Sequence, residues 1–457
     1  MSDIQSSQSG AGVKETPTED TRRSSTRTSD AQFEARQIKD SRGRPTVEVE
    51  ITLGRVQGTG DVPAGASKGE DEAHTVEVKQ AIENLNKVII PLVRESRADL
   101  RQHQQLIELE RAIIDRAGAN FEDLGANAVV PMSRALWQVA SRLRKRQLAQ
   151  YIREYEPEVA GHGRVNLLMN IFNGGLHALK KGEKLGTDRI AIQEIMVVPV
   201  GATNYRDALA MGDRIDATLQ DMLQLRYEAS AVTRADEAGF SVKGLGDSSL
   251  AISHVFEAVE RAGYAPGEDV KIALDVAASS FFDKATGKYH FDNRDVTSED
   301  MIAYLVGVAE RYPGRILSIE DGLDENDWEG WTKLSTELRK HDVTTIGDDL
   351  FVTQMQRLRR GVHNKSADAI LIKINQNGSM CGTLDVMKFA REHGMQCVIS
   401  HRSGETLDTS IADMAFGTGA MGLKAGDPQP ETDFPDPSTW VRRRKYTRMI
   451  ELEESRW

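Results

Sequence analysis

The stretch Ala369-Ile370-Leu371-Ile372-Lys373-Ile374-Asn375-Gln376 is an apolar run of strand length that carries one lysine near its end. A run of this kind is typical of a strand buried on both faces, because only a covered parallel sheet tolerates unbroken hydrophobicity. Lys373 therefore lies where a charge is costly. Three environments are open: a pairing with carboxylates at the rim of the sheet, a desolvated amine that acts as a base, or a side chain that snorkels out of the strand end.

Length and composition narrow the class of protein. At 457 residues the chain is long enough for a barrel and a second domain. Its net charge of -12 disfavours a nucleic acid polymer or an anionic membrane as the main partner. The cysteines, Cys381 and Cys397, offer no disulfide framework, and no stretch has the length of a transmembrane helix or the pattern of a secretory signal. We therefore expect a soluble, cytoplasmic protein.

Three regions of the chain differ in pattern. Residues 1–30 are rich in Ser, Thr, Gln and charge, which predicts a disordered tail. Residues 31–155 open with an alternating strand from Val47 to Leu53 and continue into helical periodicity, which predicts an α+β capping domain with a lid loop of small residues after the first strands. Its helices are expected at Val78 to Val93, Leu106 to Ile114 and Ala128 to Leu143.

Residues 156–457 alternate strands with amphipathic helices. In the helix predicted from Thr297 to Arg311, Thr297 and Asp300 are spaced as a capping box. About eight such units imply parallel pairing and a closed β/α barrel, with room for a variant topology between Val165 and Val200. The strands are predicted at Val165 to Asn170, Ile190 to Val200, Lys271 to Val276, Arg315 to Ile319, Val343 to Ile346, Ala369 to Ile374, Gln396 to Ile399 and Gly422 to Leu423.

Polar residues fall at the ends of these strands, where the chemistry of a β/α barrel is located. Asp275, Glu320 and Asp348 end three successive strands, so their carboxylates should share one mouth. Each acid alone would more simply be a helix N-cap or a surface ion pair, but three in register require a hard cation such as Mg²⁺ or Mn²⁺. The full set is Glu194, Asp275, Glu320, Asp321, Asp348, Asp349, Lys373, His401, Arg402, Ser403 and Lys424.

A lysine beside a metal suits the abstraction of a proton α to a carboxylate, because a divalent cation stabilises the enediolate that forms. Lys373, held neutral by desolvation and nearby positive charge, would be the base. Glu237 lies in the loop Ala235-Asp236-Glu237-Ala238-Gly239-Phe240 and could protonate a leaving group. The simpler alternative for Glu237 is a solvated loop side chain.

From about Ala35 to Glu454 the chain resembles the enolase family. The resemblance implies a small α+β domain capping an α/β barrel of the enolase type, assembled as a homodimer or a higher homo-oligomer. The matching motifs are Asp40-Ser41-Arg42-Gly43, Gly65-Ala66-Ser67, Leu124-Gly125-Ala126-Asn127-Ala128, Asn173-Gly174-Gly175 with His177, Gln193-Glu194, Leu274-Asp275-Val276-Ala277, Ser318-Ile319-Glu320-Asp321, Gly347-Asp348-Asp349-Leu350, Lys373 with Asn375-Gln376, and Ser400-His401-Arg402-Ser403-Gly404-Glu405-Thr406.

The resemblance also implies a role for each matching residue, in the conversion of 2-phosphoglycerate to phosphoenolpyruvate and water with two Mg²⁺ per active site. Asp275, Glu320 and Asp348 would hold the tighter Mg²⁺ and Ser67 would help hold the second. The other roles would fall to Lys373 as base, Glu237 as acid with Glu194 beside it, Lys424 at the substrate carboxylate, Arg402 and Ser403 at its phosphate, and His177 and His401 over the leaving group.

The chain departs from the family pattern in the segments that should close over the substrate. Both lids gain lysines: Lys68, Lys180, Lys181 and Lys184. One interpretation is neutral drift in tolerant loops. The other, which we prefer on the sequence alone, is a binding site for an additional anionic group. It predicts a specialised enzyme similar to carboxyphosphonoenolpyruvate synthase of phosphonate biosynthesis, with a nucleotide-activated phosphonate as second substrate, and these lysines as extra anion-binding residues.

Three alternatives stay open at this stage. The first is an ordinary glycolytic enolase with unusual loops. The second is a non-catalytic enolase-like binding protein, which predicts lost ligands although every metal and acid–base position is present. The third is a superfamily racemase, which is disfavoured because Arg402, Ser403 and Lys424 provide for a phosphate as well as a carboxylate.

Overall fold

A three-stranded antiparallel sheet begins the capping domain of the computed structural model, which describes residues 25–65, 69, 71–155, 157, 163–178, 188–428 and 437–455. The apolar side chains of its middle strand are buried, as the alternation predicts. The strands are β1 (Gln32–Lys39), β2 (Pro45–Leu53) and β3 (Val56–Asp61). Ser67, Lys68, Lys180, Lys181 and Lys184 lie outside the described residues, so the predictions made for them stay predictions.

The helices of the capping domain cover this sheet. Helix α4 (Ala126–Leu143) lies closest, because β3 presents glycines: a Cβ at Gly60 would clash with the carbonyl oxygen of Pro131. The helices are α1 (Val78–Asn84), which continues through a π-helical turn (Leu85–Ile89) into α2 (Ile90–Ser96), then α3 (His103–Ala117), α4 (Ala126–Leu143) and α5 (Leu148–Tyr155).

Part of the predicted tail is ordered. The backbone N–H of Thr28 donates to the carbonyl of Ala98 at 2.9 Å, and Thr28 is fully buried. Leu100 N–H in turn donates to the carbonyl of Thr26. Residues of the predicted tail directly before residue 31 therefore pack on the capping domain, because hydrogen bonds with the segment after α2 satisfy their backbone groups.

Eight strands close the barrel in the order β4-β5-β8-β12-β13-β14-β15-β16, and β16 pairs back onto β4. This confirms the predicted fold class. Strand β5 is antiparallel to both of its neighbours, whereas the other pairs around the barrel are parallel. The barrel strands are β4 (Asn166–Asn173), β5 (Glu194–Val198), β8 (Lys271–Asp275), β12 (Ile316–Glu320), β13 (Thr344–Gly347), β14 (Ala369–Ile372), β15 (Gln396–Ser400) and β16 (Gly422–Lys424).

The barrel interior is filled by a small apolar cluster distinct from the larger core under the helices. Its buried members are Leu168, Met196, Val198, Ala273, Ile346, Ala369, Leu371 and Val398, drawn from six of the barrel strands. Ala369 and Leu371 belong to the apolar run that precedes Lys373. The barrel interior is therefore packed with apolar side chains, and the polar residues lie at one end of it.

Strand β14 ends earlier than the apolar run suggests. It stops at Ile372, and Ile374–Asn377 form a short helix, α11, so the predicted extension to Ile374 is wrong. The reason is local: the backbone N–H of Lys373 donates to the side chain of Thr353 at 3.0 Å instead of to a neighbouring strand. Lys373 thus lies at the point where the chain leaves the sheet.

The remaining elements complete the outer layer. The predicted capping box is present, since the Thr297 side chain accepts from the Asp300 N–H and the Asp300 side chain accepts from the Thr297 N–H. Short strands outside the barrel are β6 (Val232–Arg234), β7 (Phe240–Val242), β9 (Phe282–Asp283), β10 (Lys288–Phe291) and β11 (Arg294–Val296). The helices are α6 (Tyr205–Arg226), α7 (Ser248–Arg261), α8 (Ser298–Arg311), α9 (Trp328–Arg339), α10 (Met355–Asn364), α12 (Met380–Glu392), α13 (Ser410–Thr418) and α14 (Pro437–Glu454).

Helix α3 of the capping domain is joined to the barrel by a buried carboxylate. Glu110 accepts from the backbone N–H groups of Met380 and Cys381 at 3.0 and 3.2 Å, at the start of α12. It also accepts from the Trp137 indole at 2.7 Å.

Across the described ranges, no helix is both long enough and apolar enough to cross a membrane.

Candidate active site

The polar residues predicted at the strand ends line one cavity of about 330 Å³ at the mouth of the barrel. Asp275 is the last residue of β8, Asp348 follows β13, Lys373 follows β14, and Lys424 ends β16. Further lining residues are His177, Glu194, Glu237, Asp321, Asp349, His401, Arg402 and Ser403. Glu320, the last residue of β12, pairs with Asp275 in the sheet and accepts a hydrogen bond from Lys424.

Glu194 reaches this mouth by an unexpected route. It is the first residue of β5, not the last, and it pairs with Asp275 and with Asn173 in the sheet register. Because β5 runs antiparallel to its neighbours, the start of this strand lies at the same edge as the ends of the others. The prediction that Glu194 lies at the end of a barrel strand is therefore wrong, since it begins β5. Its place at the mouth of the barrel is as predicted.

Lys373 is paired with a carboxylate. Its ammonium donates to Asp348 Oδ2, and Gln376 Nε2 donates to the other oxygen of Asp348 at 3.0 Å. Burial lowers the pKa of Lys373, but Asp348 outweighs it and leaves the pKa above its ordinary value. This pairing favours the charged ammonium and so opposes the desolvation that the sequence analysis expects to hold Lys373 neutral.

Lys424 lies among three carboxylates. Its ammonium donates to Asp275 Oδ2 at 2.8 Å and to Glu320 Oε1 at 3.0 Å, and it lies 3.4 Å from Glu194 Oε1. Although burial opposes the charged form, these acids raise the pKa of Lys424 well above its ordinary value. This cation offsets part of the like-charge repulsion among the predicted metal ligands.

Glu194 and Glu237 form an acid pair bridged by His177, whose Nδ1 lies 3.6 Å from Glu194 and whose Nε2 lies 3.8 Å from Glu237. Burial, then the charge of Glu237, raises the pKa of Glu194 well above its ordinary range. Burial would also raise the pKa of Glu237, but His401 and His177 outweigh it and hold that pKa well below its ordinary range. These opposite shifts favour protonation of Glu194 over Glu237.

The residues expected at the phosphate end also line the cavity. Arg402 is buried and forms a bidentate pair with Glu72 of the capping domain, at 3.1 and 3.2 Å, and it donates to Asn375 Oδ1 at 3.2 Å. Ser403 follows it, and the Ser403 carbonyl accepts from Ser41 Oγ at 3.3 Å. The capping domain thus orients the guanidinium that the sequence assigns to an anionic group.

Sequence reasoning missed several residues that shape the site. Glu72 and Gln376 touch Arg402 and Asp348 as described, and Arg42 of the capping domain donates through Nε to Asp236 Oδ1 at 2.8 Å. Arg442 of α14 donates to His401 Nδ1 at 2.6 Å. Arg42 and Gln376 belong to motifs that the chain shares with the enolase family, so these motifs could have pointed to them. Arg442 stands in a run of basic residues that resembles any solvated helix face, so no such signal existed for it.

Carboxylate oxygens at the mouth can accept a cation. Within the described residues, Glu320 Oε2 and Glu194 Oε2 are buried without a hydrogen-bond partner. Asp321, Asp348 and Asp349 bring one oxygen each to within 4.8 Å of one another. Burial and Asp275 raise the pKa of Glu320 to about 8. The three aspartates offer oxygen atoms only. A buried group of carboxylates of this kind fits a hard divalent cation.

Arg189 follows the second lid segment in the chain. It is buried and donates to Ser241 Oγ of β7 at 2.8 Å. The extra anion-binding prediction depends on Lys68, Lys180, Lys181 and Lys184, which lie outside the described residues, so it stays a prediction.

The fold is a closed barrel with one antiparallel strand and an α+β cap. At its mouth, paired acid–base groups lie beside a ring of carboxylates. These features together define a barrel enzyme of the acid–base type. Comparison with known proteins makes this specific. Residues 31–152 match the model "Enolase, N-terminal domain" and residues 165–454 match "Enolase, C-terminal TIM barrel domain". The chain is 37% identical over 433 residues to the enolase of Corynebacterium kroppenstedtii, a match that covers 92% of this chain and 94% of that protein. The chain belongs to the enolase family, and its chemistry is that of an enolase-type hydro-lyase.

Proposed function

We propose that this protein converts 2-phosphoglycerate to phosphoenolpyruvate and water, with Mg²⁺ as cofactor. The observation that carries the proposal is the presence, in one cavity, of the lysine Lys373 and the acid pair Glu194 and Glu237, with the carboxylates of Asp275 and Asp348 beside them. This arrangement provides for both halves of an elimination: a base for the carbon-bound proton and an acid for the departing hydroxyl.

Lys373 is the proposed base. It can accept a proton only after its ammonium loses one, and its pairing with Asp348 opposes this loss. A cation held by Asp348 would weaken the attraction of this carboxylate for the Lys373 ammonium and so would favour the neutral amine that a base requires. Mg²⁺, when bound, would also stabilise the negative charge of the enediolate.

The proposed acid is the pair of Glu194 and Glu237 taken together. The pKa shifts assign the proton to Glu194 in the resting state, while Glu237 accepts from His401 Nε2 at 3.2 Å. The hydroxyl then leaves as water with the proton of this pair, as the electrons of the broken C–H bond form the new double bond. His177 lies between the two carboxyl groups, 3.6 Å from Glu194 and 3.8 Å from Glu237.

Anchoring of the substrate is assigned to three further residues that line the cavity. Lys424 would meet the substrate carboxylate, and Arg402 with Ser403 would meet the phosphate. Asp275, Glu320 and Asp348 would hold the tighter Mg²⁺. Ser67, which lies outside the described residues, would contribute to the second.

The specialised reaction of the carboxyphosphonoenolpyruvate type ranks second. It depends on lysines outside the described residues, and the comparisons support the hydro-lyase reaction of an enolase better. A coupled transfer from a nucleotide-activated phosphonate stays a prediction from the lid sequences. The same holds for a homo-oligomeric assembly and for a cytoplasmic location.

The test is turnover of 2-phosphoglycerate by the purified protein with Mg²⁺, followed through the absorbance of phosphoenolpyruvate. We expect enolase-like turnover that changes by no more than about twofold in the variants Lys68→Ala and Lys181→Ala. No turnover of 2-phosphoglycerate, together with activity on a nucleotide-activated phosphonate that these variants abolish, would establish the specialised reaction instead.

A further inference from the structure

Arg442 connects the C-terminal helix to the acid side of the cavity. Its side chain is buried, at 2% exposure, and Nη1 lies 2.6 Å from His401 Nδ1. A guanidinium carries only donors, so the nitrogen that faces it must accept. For a neutral imidazole this fixes the ring hydrogen on Nε2, which lies 3.2 Å from Glu237 Oε2.

The state of His401 agrees with this geometry. Burial lowers the pKa of His401 below its ordinary value, against the opposing charge of Glu237. The neutral ring then accepts a hydrogen bond from Arg442 at Nδ1 and donates one to Glu237 from Nε2. Without Arg442 the ring could carry its hydrogen on either nitrogen, and in the second form it presents a lone pair to a carboxylate.

Arg442 also fixes the backbone around the acid. Its Nη2 donates to the carbonyl oxygens of Ser403 at 2.8 Å and of Asp236 at 3.2 Å. Asp236 directly precedes Glu237, and its carboxylate is held from the other side by Arg42. One side chain thus holds the loop that carries His401 and the loop that carries Glu237 at a fixed separation.

Lys373 lies outside this group of contacts. Its ammonium donates to Asp348 and its backbone N–H donates to Thr353, and none of the hydrogen bonds described for Arg442 involves either residue. A change at Arg442 should therefore affect the acid and leave the base in place.

We propose that Arg442 is a positioning residue that sets the Nε2–H tautomer of His401 and thereby orients Glu237 for the departure of the hydroxyl, leaving proton abstraction by Lys373 untouched. This inference rests on the proposed function. It assigns to the C-terminal helix a part in one half of the reaction.

The experiment compares Arg442→Ala and the milder Arg442→Lys with Arg443→Ala, a neighbour whose guanidinium pairs with Asp213 at 2.9 Å. Exchange of the α-hydrogen of 2-phosphoglycerate with deuterated water reports on Lys373, and release of phosphoenolpyruvate reports on the acid. We expect kcat for elimination to fall about 100-fold in Arg442→Ala with exchange and KM within about threefold of the unmodified protein. Arg443→Ala should match the unmodified protein in both.

Equal loss of exchange and elimination, in Arg442→Lys as well as in Arg442→Ala, would overturn the proposal, because it indicates a general loss of structure. So would elimination that is unchanged. If the unmodified protein neither exchanges nor eliminates, the proposed function fails, and the positioning role is then judged by ¹⁵N NMR of the imidazoles, with His401→Asn to assign the signals. A His401 Nδ1 that stays unprotonated in Arg442→Ala as in the unmodified protein would refute it, and a shift of the tautomer would support it.

Discussion

Lys373 has two opposing influences on its pKa, and they come from different residues. Burial disfavours the ammonium, whereas the carboxylate of Asp348 favours it and prevails. The same carboxylate is a proposed metal ligand, so a bound cation and the Lys373 ammonium would compete for it. The sequence identifies Lys373 as a candidate base. It does not show the contact with Asp348, because the two strand ends come together only in the folded chain.

The Lys373→Ala variant tests the base directly. We expect the turnover of 2-phosphoglycerate to fall by about 10²–10⁴-fold, the usual contribution of a positioned acid–base group. Exchange of the α-hydrogen should be lost with it. Lys388→Ala, on the exposed face of α12, is the matched control and should behave as the unmodified protein. Retained exchange in Lys373→Ala would assign the base to another group.

Asp61 predicts a pH dependence of stability. It accepts from Thr406 Oγ1 at 2.6 Å, and burial together with Asp408 raises its pKa to about 8. A folded-state pKa above the unfolded value contributes stability that is complete below the unfolded pKa, about 4, and is lost as the pH rises through about 8. Asp61→Asn mimics the protonated acid, so its free energy of unfolding relative to the unmodified protein should increase from pH 5 to pH 8.

Urea denaturation at several pH values measures this difference. Asp221→Asn, at an exposed position of α6, is the control and should keep a constant offset from the unmodified protein. A constant offset for Asp61→Asn as well would mean that Asp61 is ionised in the folded state at neutral pH, with Arg134 as its compensating charge.

At the scale of elements, the barrel strands were predictable because each is an apolar run bounded by turn residues. Predicted bounds such as Lys271 to Val276 lie within a residue of the observed strand. The direction of β5 was not predictable, since side-chain pattern is the same for a strand read either way. The hairpin of β6 and β7 was missed because strands of three residues, Val232–Arg234 and Phe240–Val242, carry too little pattern.

Helix α8 offers a local prediction. The capping box of Thr297 and Asp300 satisfies two backbone N–H groups at its start. Thr297→Ala removes the acceptor for the Asp300 N–H and should lower the free energy of unfolding by about 1 kcal/mol, whereas Thr297→Ser keeps the hydroxyl and should cost much less. Chemical denaturation of the two variants measures this. Equal losses would attribute the effect to the threonine methyl group.

At the scale of the whole molecule, the cap and the barrel share one buried acceptor. Glu110 of α3 receives four hydrogen bonds, from Ser133, Trp137 and the first backbone groups of α12, and burial raises its pKa. A carboxylate at the start of a helix is stabilised by unpaired N–H groups there. The sequence offered no sign of this contact, because a glutamate in a helical segment is ordinarily solvated.

The reactivity of the two cysteines can be used to test whether this contact between α3 and α12 stays closed. Cys381 and Cys397 are both buried, and burial, with the nearby Glu110, raises the pKa of the Cys381 thiol. Because the thiolate is the reactive form, we expect no labelling of the native protein by a thiol reagent such as dithionitrobenzoate, and labelling of both cysteines after denaturation. Labelling of Cys381 in the native state, with Cys397 protected, would indicate that the start of α12 opens away from α3.

The antiparallel direction of β5 gives the barrel a connection whose length can vary. Asn173 and Glu194 are directly paired across neighbouring strands, so the chain leaves the barrel at one residue and re-enters it beside that residue. A connection between paired residues of an antiparallel ladder can change length without shifting the register of the strands, unlike a crossover that must carry the chain back along a helix. Enzymes of this architecture can therefore vary the loop that joins these two strands while the barrel strands stay unaltered.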